Sequence, residues 1–440
     1  MIVLLSKLKS YLSSIKEKFY ITYFFSIRET EYISYQRKLI VKWLKNVQIN
    51  VPYYANLLKN EDIVYERVMD VLQKLPLLSK KIIQEQGSNI YDRRVSDNWK
   101  SWHNTGGSTG NPLRFPIGGY RWHFNAELCC QAYLYKLICG SYSISIASID
   151  GRRINQESIE RQIYWGTNKG NFPYGKIHYS TLYLNEETFP YYLRHLNSIK
   201  PDVMRGYPSG FYQFAQLMEK GLGKLNFTLK GIYLTSEDIV DYQLELIQKH
   251  FKCPIWGQYG HSEASVFGIR YPGDEAYYCH PLYGYTEIIG TDGKHVKEGE
   301  VGEVVVTGFN YTALPFIRYR TGDLAEYGGN KNGFVILRKL MGRTSDYIVT
   351  SKGEKIYLVG FIFGGHLRAF NCIESWQFRQ EKEGELYVKI VPTTTYTNDV
   401  ELELYEFFQK NNFKLYIEYV NSIPKTQRGK QKFLIQNLKS

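Results

Sequence analysis

Apolar residues recur at three- and four-residue steps from Leu4 through Leu5, Leu8, Tyr11, Leu12 and Ile15 to Phe19, with Lys7, Lys9, Lys16 and Lys18 between them. That is the period of an amphipathic helix, and it predicts helix across roughly the first 45 residues. Two readings of its basic face stand side by side: a helix lying on an anionic membrane through residues 1–20, or a helix packed on its own core with a solvated lysine face. Pro52, Pro76 and the pair Lys80-Lys81 mark turns between further helices. Near residue 100 the texture changes to Gly, Ser and Thr. From there to about residue 340, short apolar runs at 143–149, 231–235 and 303–307 alternate with helical stretches. Strand–helix alternation predicts an α/β core. After Gly342-Arg343 the pattern restarts, with a strand over 385–391 and a helix near 400–411. The expected architecture is a large multi-layer N-terminal domain of mixed sheets and helices over 1–343, its first 100 residues a mostly helical lead-in. A small mobile α+β domain follows over 344–440, joined by a hinge.

Composition narrows the class. The 440 residues are 43% hydrophobic and 22% charged, close to a globular average, and no apolar run is long enough to span a membrane. The N-terminus lacks the basic, apolar and small-residue order of a secretory signal, so a cytoplasmic site of action is expected. Six scattered cysteines form no CxxC pair, so neither a disulfide framework nor a zinc ribbon is supported. Cys253 and Cys279 read as buried structural thiols. The net charge is +12, and residues 1–20 and 421–440 hold +3 and +5 of it. No nucleic-acid-binding module accompanies those ends, so no nucleic-acid partner is expected. A phosphate-bearing substrate or an anionic surface fits instead.

The densest chemical signal is Asn104-Thr105-Gly106-Gly107-Ser108-Thr109-Gly110-Asn111-Pro112. Glycines let a backbone turn tightly and aim its N–H groups inward, and the hydroxyls add donors, so such a loop can cradle phosphates. It matches neither GxxxxGK[ST] nor GxGxxG, and an ordinary surface loop reads as well from these residues alone. Three further segments follow: Tyr259-Gly260-His261-Ser262-Glu263, Arg318-Tyr319-Arg320-Thr321-Gly322-Asp323, and Pro424-Lys425-Thr426-Gln427-Arg428-Gly429-Lys430.

With Gly342-Arg343, these segments in this order resemble the adenylate-forming ligases, which include acyl-CoA synthetases, luciferases and peptide-synthetase adenylation domains. The run Pro315 to Asp323 is most similar to the phenylacetate–CoA ligase branch and its relatives in capsular polysaccharide synthesis. The resemblance implies joining of a small carboxylic acid to the α-phosphate of ATP, then transfer of the acyl group to coenzyme A or to an amino-sugar acceptor. It implies that Thr105, Gly107, Ser108, Thr109 and Gly110 hold the β- and γ-phosphates. Ser236, Glu237, Tyr259, Gly260 and Ser262 would line the nucleotide. Asp323 would bind the ribose, Glu263 would hold Mg²⁺, Arg343 would lie near ribose or phosphate, and Lys430 would meet the α-phosphate. Gly106 and Asn111 depart from the hydroxyl and lysine frequent at those places, and Ser345 from the acid or lysine frequent after the hinge arginine. Those departures keep a catalytically inactive nucleotide-binding scaffold as an alternative. His103, Trp122 and His123, and Gly206-Tyr207-Pro208-Ser209, are further candidates for a substrate pocket.

Overall fold

The computed structural model describes residues 17–96, 100–104, 113–118, 125–343, 347–358, 361–362, 367–424 and 433–438. The chain forms two compact units, each assembled from separated stretches. The first takes residues 1–144, 256–321 and 326–339; the second takes 145–255, 322–325 and 340–440.

In the first unit the helical expectation for the N-terminus is met from residue 17 onward with one interruption. Residues 17–26 are helical, the chain turns extended at Arg28, and the helix Tyr32–Asn50 begins after a short 3-10 turn at Glu29–Glu31. The break has a local cause: the Arg28 backbone N–H and guanidinium both donate to the Glu31 carboxylate. That bonding caps the 3-10 turn from which the second helix starts, where the apolar period alone reads straight through. Residues 1–16 lie outside the described part. Tyr32, Gln36, Ile40, Trp43, Leu44 and Val47 form the buried stripe of the second helix. Gln36 is polar but satisfied, donating to the carbonyls of Pro281 and Gly284 at 2.9 and 3.0 Å. Pro52 occupies the first position of the next helix, and the Ser79 hydroxyl caps another by accepting from Ile82 N–H. The sheet of this unit is antiparallel. Gly284–Ile289 pairs with Val301–Gly308, and Tyr277–Cys279 lies between Gly268–Arg270 and the strand beginning at Phe334.

The second unit holds a parallel sheet with neighbours in the order Gly231–Thr235, Val203–Gly206, Ile146–Asp150 and Ile177–Ser180, with Trp165–Thr167 antiparallel at the edge. The first of these strands matches the expected run. The Ile146–Asp150 strand starts later than residue 143 because Ser145 is spent on a corner. Its N–H and hydroxyl both donate to the Asp202 carboxylate. Helices Phe189–Ile199, Pro208–Glu219 and Asp241–Phe251 bury an aromatic-rich core against Ala147, Ile149, Met204, Ile232 and Leu234. The same unit includes a four-stranded α+β body in the order Lys414–Tyr419, Glu385–Pro392, Ile373–Lys382, Leu434–Gln436. Helix Asn398–Lys410 packs there through Val400, Leu404 and Phe408 onto Phe378, Val388 and Ile390. The class is α/β with a smaller C-terminal α+β part, as the alternation predicts. Among the described residues no helix is long and apolar enough to cross a membrane.

Candidate active site

In the first unit the site grows from the end of the strand Ile255–Tyr259. Tyr259 is buried with its ring edge-on to Tyr277 at 6.0 Å, and Gly260 leads into a tight turn. The turn leaves Ser262 exposed and points Glu263 inward, 6% exposed. Glu263 Oε1 accepts from the Tyr319 hydroxyl at 2.8 Å. His261 Nδ1 lies 3.2 Å from Oε2, and His261 Nε2 is buried with no hydrogen-bond partner. Burial pushes the Glu263 carboxyl up, but the adjacent His261 and the Tyr319 hydroxyl outweigh burial and bring it down to about 2. It is therefore an anion at any physiological pH. The turn is braced from behind. Ala264 takes a left-handed φ of +45°, its carbonyl accepts from Asn310 Nδ2 at 2.9 Å, and Asn310 Oδ1 accepts from Glu127 N–H at 2.9 Å. Gly308 is required here, because a Cβ on it would lie 2.3 Å from the Ser265 hydroxyl.

In the second unit Asp323 and Arg343 come together, Arg343 Nε standing 3.1 Å from Asp323 Oδ1. Arg343 ends its strand directly after Gly342, whose φ is +88°. Past the end of strand Gly231–Thr235, Ser236 adopts a φ of +72°, a conformation rare for a residue with a side chain. The Glu237 carboxylate then accepts from Ser209 N–H at 3.1 Å, tying the 206–209 turn to the 235–237 turn. Thr105, Gly107, Ser108, Thr109, Gly110 and Lys430 lie outside the described residues, as do Trp122 and His123. His103 lies exposed on the strand Ser101–Asn104. Cys253 and Cys279 are buried thiols pushed up to about 12 by burial, and no metal-binding cluster occurs among the described residues.

The residues present fit the groups the resemblance implies. A buried carboxylate kept ionised by its neighbours suits a hard divalent cation, which favours anionic oxygen. A carboxylate oriented by a guanidinium suits a vicinal diol, which donates two hydrogen bonds. Tyr319 and His261 stand in their sequence segments with no role of their own implied. Tyr319 stands 56 residues from Glu263 in the chain, and no local signal marks that pairing.

Residues 348–437 match the CapK C-terminal domain family. The chain is 24% identical over 417 residues to Protein CapK of Staphylococcus aureus, spanning 92% of this chain and 89% of that one. The fold is that of the adenylate-forming ligases. The same fold is seen in 2-hydroxyisobutyryl-CoA ligase, solved in the postadenylation state with an acyl-AMP. It superposes with a TM-score of 0.67 at 18% identity, over 91% of this chain and 88% of that chain. Indoleacetate–lysine synthetase of Pseudomonas savastanoi is 30% identical over 191 residues, 41% of this chain and 39% of its own length. The CapK likeness runs through both units, and the family match falls on the C-terminal α+β body.

Proposed function

We propose that the protein activates a small carboxylic acid with ATP as an acyl-adenylate, releases pyrophosphate, and passes the acyl group to an amine. Glu263 carries the reading: a buried carboxylate held ionised and braced by Tyr319 has no packing purpose that a neutral residue would not serve better. Both reactants are anions, so the site must neutralise charge and hold them in line. Glu263 would hold Mg²⁺, which supplies positive charge to the phosphates. Tyr319 fixes the carboxylate rotamer. Asp323, set by Arg343, would accept from the ribose hydroxyls. Ser236, Glu237, Tyr259, Gly260 and Ser262 would border the nucleotide, the 105–110 loop its phosphates, and Lys430 the α-phosphate. We place the hinge of a mobile C-terminal part at Gly342-Arg343.

The amine reading draws on the indoleacetate–lysine synthetase, named for joining an acid to an amine, and on the resemblance to the capsular branch, which implies an amino sugar as the alternative acceptor to coenzyme A. Coenzyme A is the second reading, supported by the ligase whose fold covers most of the chain and whose name specifies a thioester. ATP–pyrophosphate exchange over a panel of carboxylic and amino acids tests the first half-reaction: at least one acid should drive exchange, and a blank panel would sink the proposal. Product formation with hydroxylamine, amino sugars and coenzyme A then separates the two acceptors.

A further inference from the structure

One arc of the helix over residues 17–26 is taken up by the first unit. Ile21 is 3% exposed and Phe24 is fully buried, Phe24 standing edge-on to Tyr133 at 6.3 Å and against His280 at 5.2 Å. On the same side Phe25 stacks on Tyr142 at 6.1 Å, with the Lys136 ammonium 4.3 Å from its ring centroid. Cys129 Sγ donates to the Tyr20 carbonyl at 3.6 Å. These contacts fix the rotation of the helix about its own axis. The opposite arc carries Phe19, 65% exposed, and Tyr23, 43% exposed, four residues apart and so one above the other. Taken singly, an exposed aromatic ring is ordinary. Its company along the sequence is not.

The fixed rotation gives a reference for the sequence that precedes it. At about 100° per residue, the apolar series from Leu4 to Phe19 centres roughly 170° from the direction of Ile21 and Phe24. Tyr23 continues that series. Lys7 and Lys18 fall along one edge of the apolar arc, and Lys9 and Lys16 along the other. Ser6, Ser10, Ser13 and Ser14 take the arc on the Ile21 and Phe24 side. A helix packed on its own core would need the apolar series where those serines fall. The period therefore directs its apolar side away from the part of the protein that holds Phe24.

We propose that residues 4–23 lie as a helix in the plane of an anionic lipid surface, with Leu8, Leu12, Phe19 and Tyr23 toward the acyl chains and the four lysines at the headgroups. An apolar arc edged on both sides by lysine is the cross-section such a surface fits: the apolar residues enter the acyl boundary while the lysine stems reach sideways to lipid phosphates. A second copy of the chain fits worse. Two such faces brought together would set lysine edge against lysine edge, and residues 1–16 contain no acid to answer them. The contact is with the surface and does not cross it, and it stands apart from the proposed ligase activity.

Flotation of the full chain with vesicles tests it, comparing phosphatidylcholine alone with phosphatidylcholine mixed with phosphatidylglycerol at one ionic strength. The parent should bind the mixed vesicles at least about tenfold more tightly, because each lysine near an anionic surface adds a severalfold gain. Leu12→Gln and Phe19→Gln should each weaken that binding by about tenfold or more, the effect of withholding one large apolar side chain. Ser10→Gln puts the same amide on the other arc and should stay within about twofold of the parent. Phe19 is exposed, so Phe19→Gln should melt as the parent does, and its loss of lipid binding is then read on folded protein. No binding of the parent to mixed vesicles, equal binding to phosphatidylcholine alone, or parent-like binding in both Leu12→Gln and Phe19→Gln overturns the proposal. Equal damage from Ser10→Gln also overturns it, since the helix would then have no lipid-facing side. Light scattering without lipid addresses the other occupant: a dimer that Leu12→Gln dissociates would assign the face to a second copy and overturn the lipid contact. None of these readouts depends on adenylation, so a failed exchange assay leaves them intact.

Discussion

Two glutamates of the first unit are equally withdrawn from solvent and wholly different in kind. Glu287, 2% exposed, sits in a closed pair: Arg318 Nη2 and Nε meet its two oxygens at 3.0 and 3.1 Å, and Arg318 Nη1 is spent on the carbonyls of Gln73 and Leu75. Burial pushes the Glu287 carboxyl above the ordinary carboxylate range, and the Arg318 fork offsets only part of that rise. Glu263, 6% exposed, is met by a phenol and an imidazole and, among the described residues, by no arginine, yet its carboxyl is brought down to about 2. A buried acid answered fully by a guanidinium is finished and serves the fold. A buried acid kept charged by neutral or weakly basic neighbours retains lone pairs for a cation.

The largest effect that would break this comparison is on stability. Glu287→Ala strands Arg318 as an unpaired buried charge and should cost about 3–5 kcal/mol. Thermal unfolding reads it, while exchange activity per folded molecule should persist. Loss of activity with unchanged melting would reverse the roles. Next comes Glu263→Gln, expected to cut acyl-adenylate formation by roughly 10²–10³-fold, the scale of one lost preorganised electrostatic group, and to raise the Mg²⁺ requirement. An unchanged Mg²⁺ titration would sink the assignment. The same variant has a pH signature. A folded pKa of about 2, below the ordinary glutamate value near 4.3, contributes stability that is complete above about pH 4.3 and lost as pH falls through about 2. Acid unfolding curves of parent and Glu263→Gln should therefore converge as the pH drops through that window. A smaller effect is expected at Asp323, which is partly exposed: Asp323→Ala should weaken an ATP analogue about 10- to 150-fold. If 2′-deoxy-ATP carries the same relative penalty in parent and variant, the ribose role is wrong. The smallest is Arg338→Ala, which removes half-exposed pairs with Glu298 and Glu326 and should change stability by about 1 kcal/mol or less. A larger loss there would show that surface pairs in this unit resemble the Arg318 pair more than exposure suggests.

Much of the fold is legible because its signals are local. The strands Gly231–Thr235 and Val301–Gly308 and the helix Asn398–Lys410 announce themselves through period and propensity within a dozen residues. Glu263, Asp323 and Arg343 are legible in another way, as short segments in a familiar order, and the last two do meet in space. Partners set by register are not legible. Tyr319 reaches Glu263 across 56 residues, Tyr283 donates to Glu127 across 156, and Arg205 joins Ser148 and His178 only once the strands align. A period-two pattern tells which face a residue takes, but it does not say which strand lies beside it.

The discontinuity of the first unit bears on the order of events at the ribosome. Gln36 makes its hydrogen bonds to Pro281 and Gly284, and Arg318 binds carbonyls of residues 73 and 75, each pair more than 240 positions apart. At about 5–20 residues per second, the helix Tyr32–Asn50 would wait roughly 10–50 s for its partners to emerge. Its stripe of Tyr32, Ile40, Trp43 and Leu44 stays uncovered for that interval, which makes the nascent N-terminal segment a candidate client for chaperones during synthesis. The 145–255 stretch is continuous and carries its own aromatic core, so it can close first.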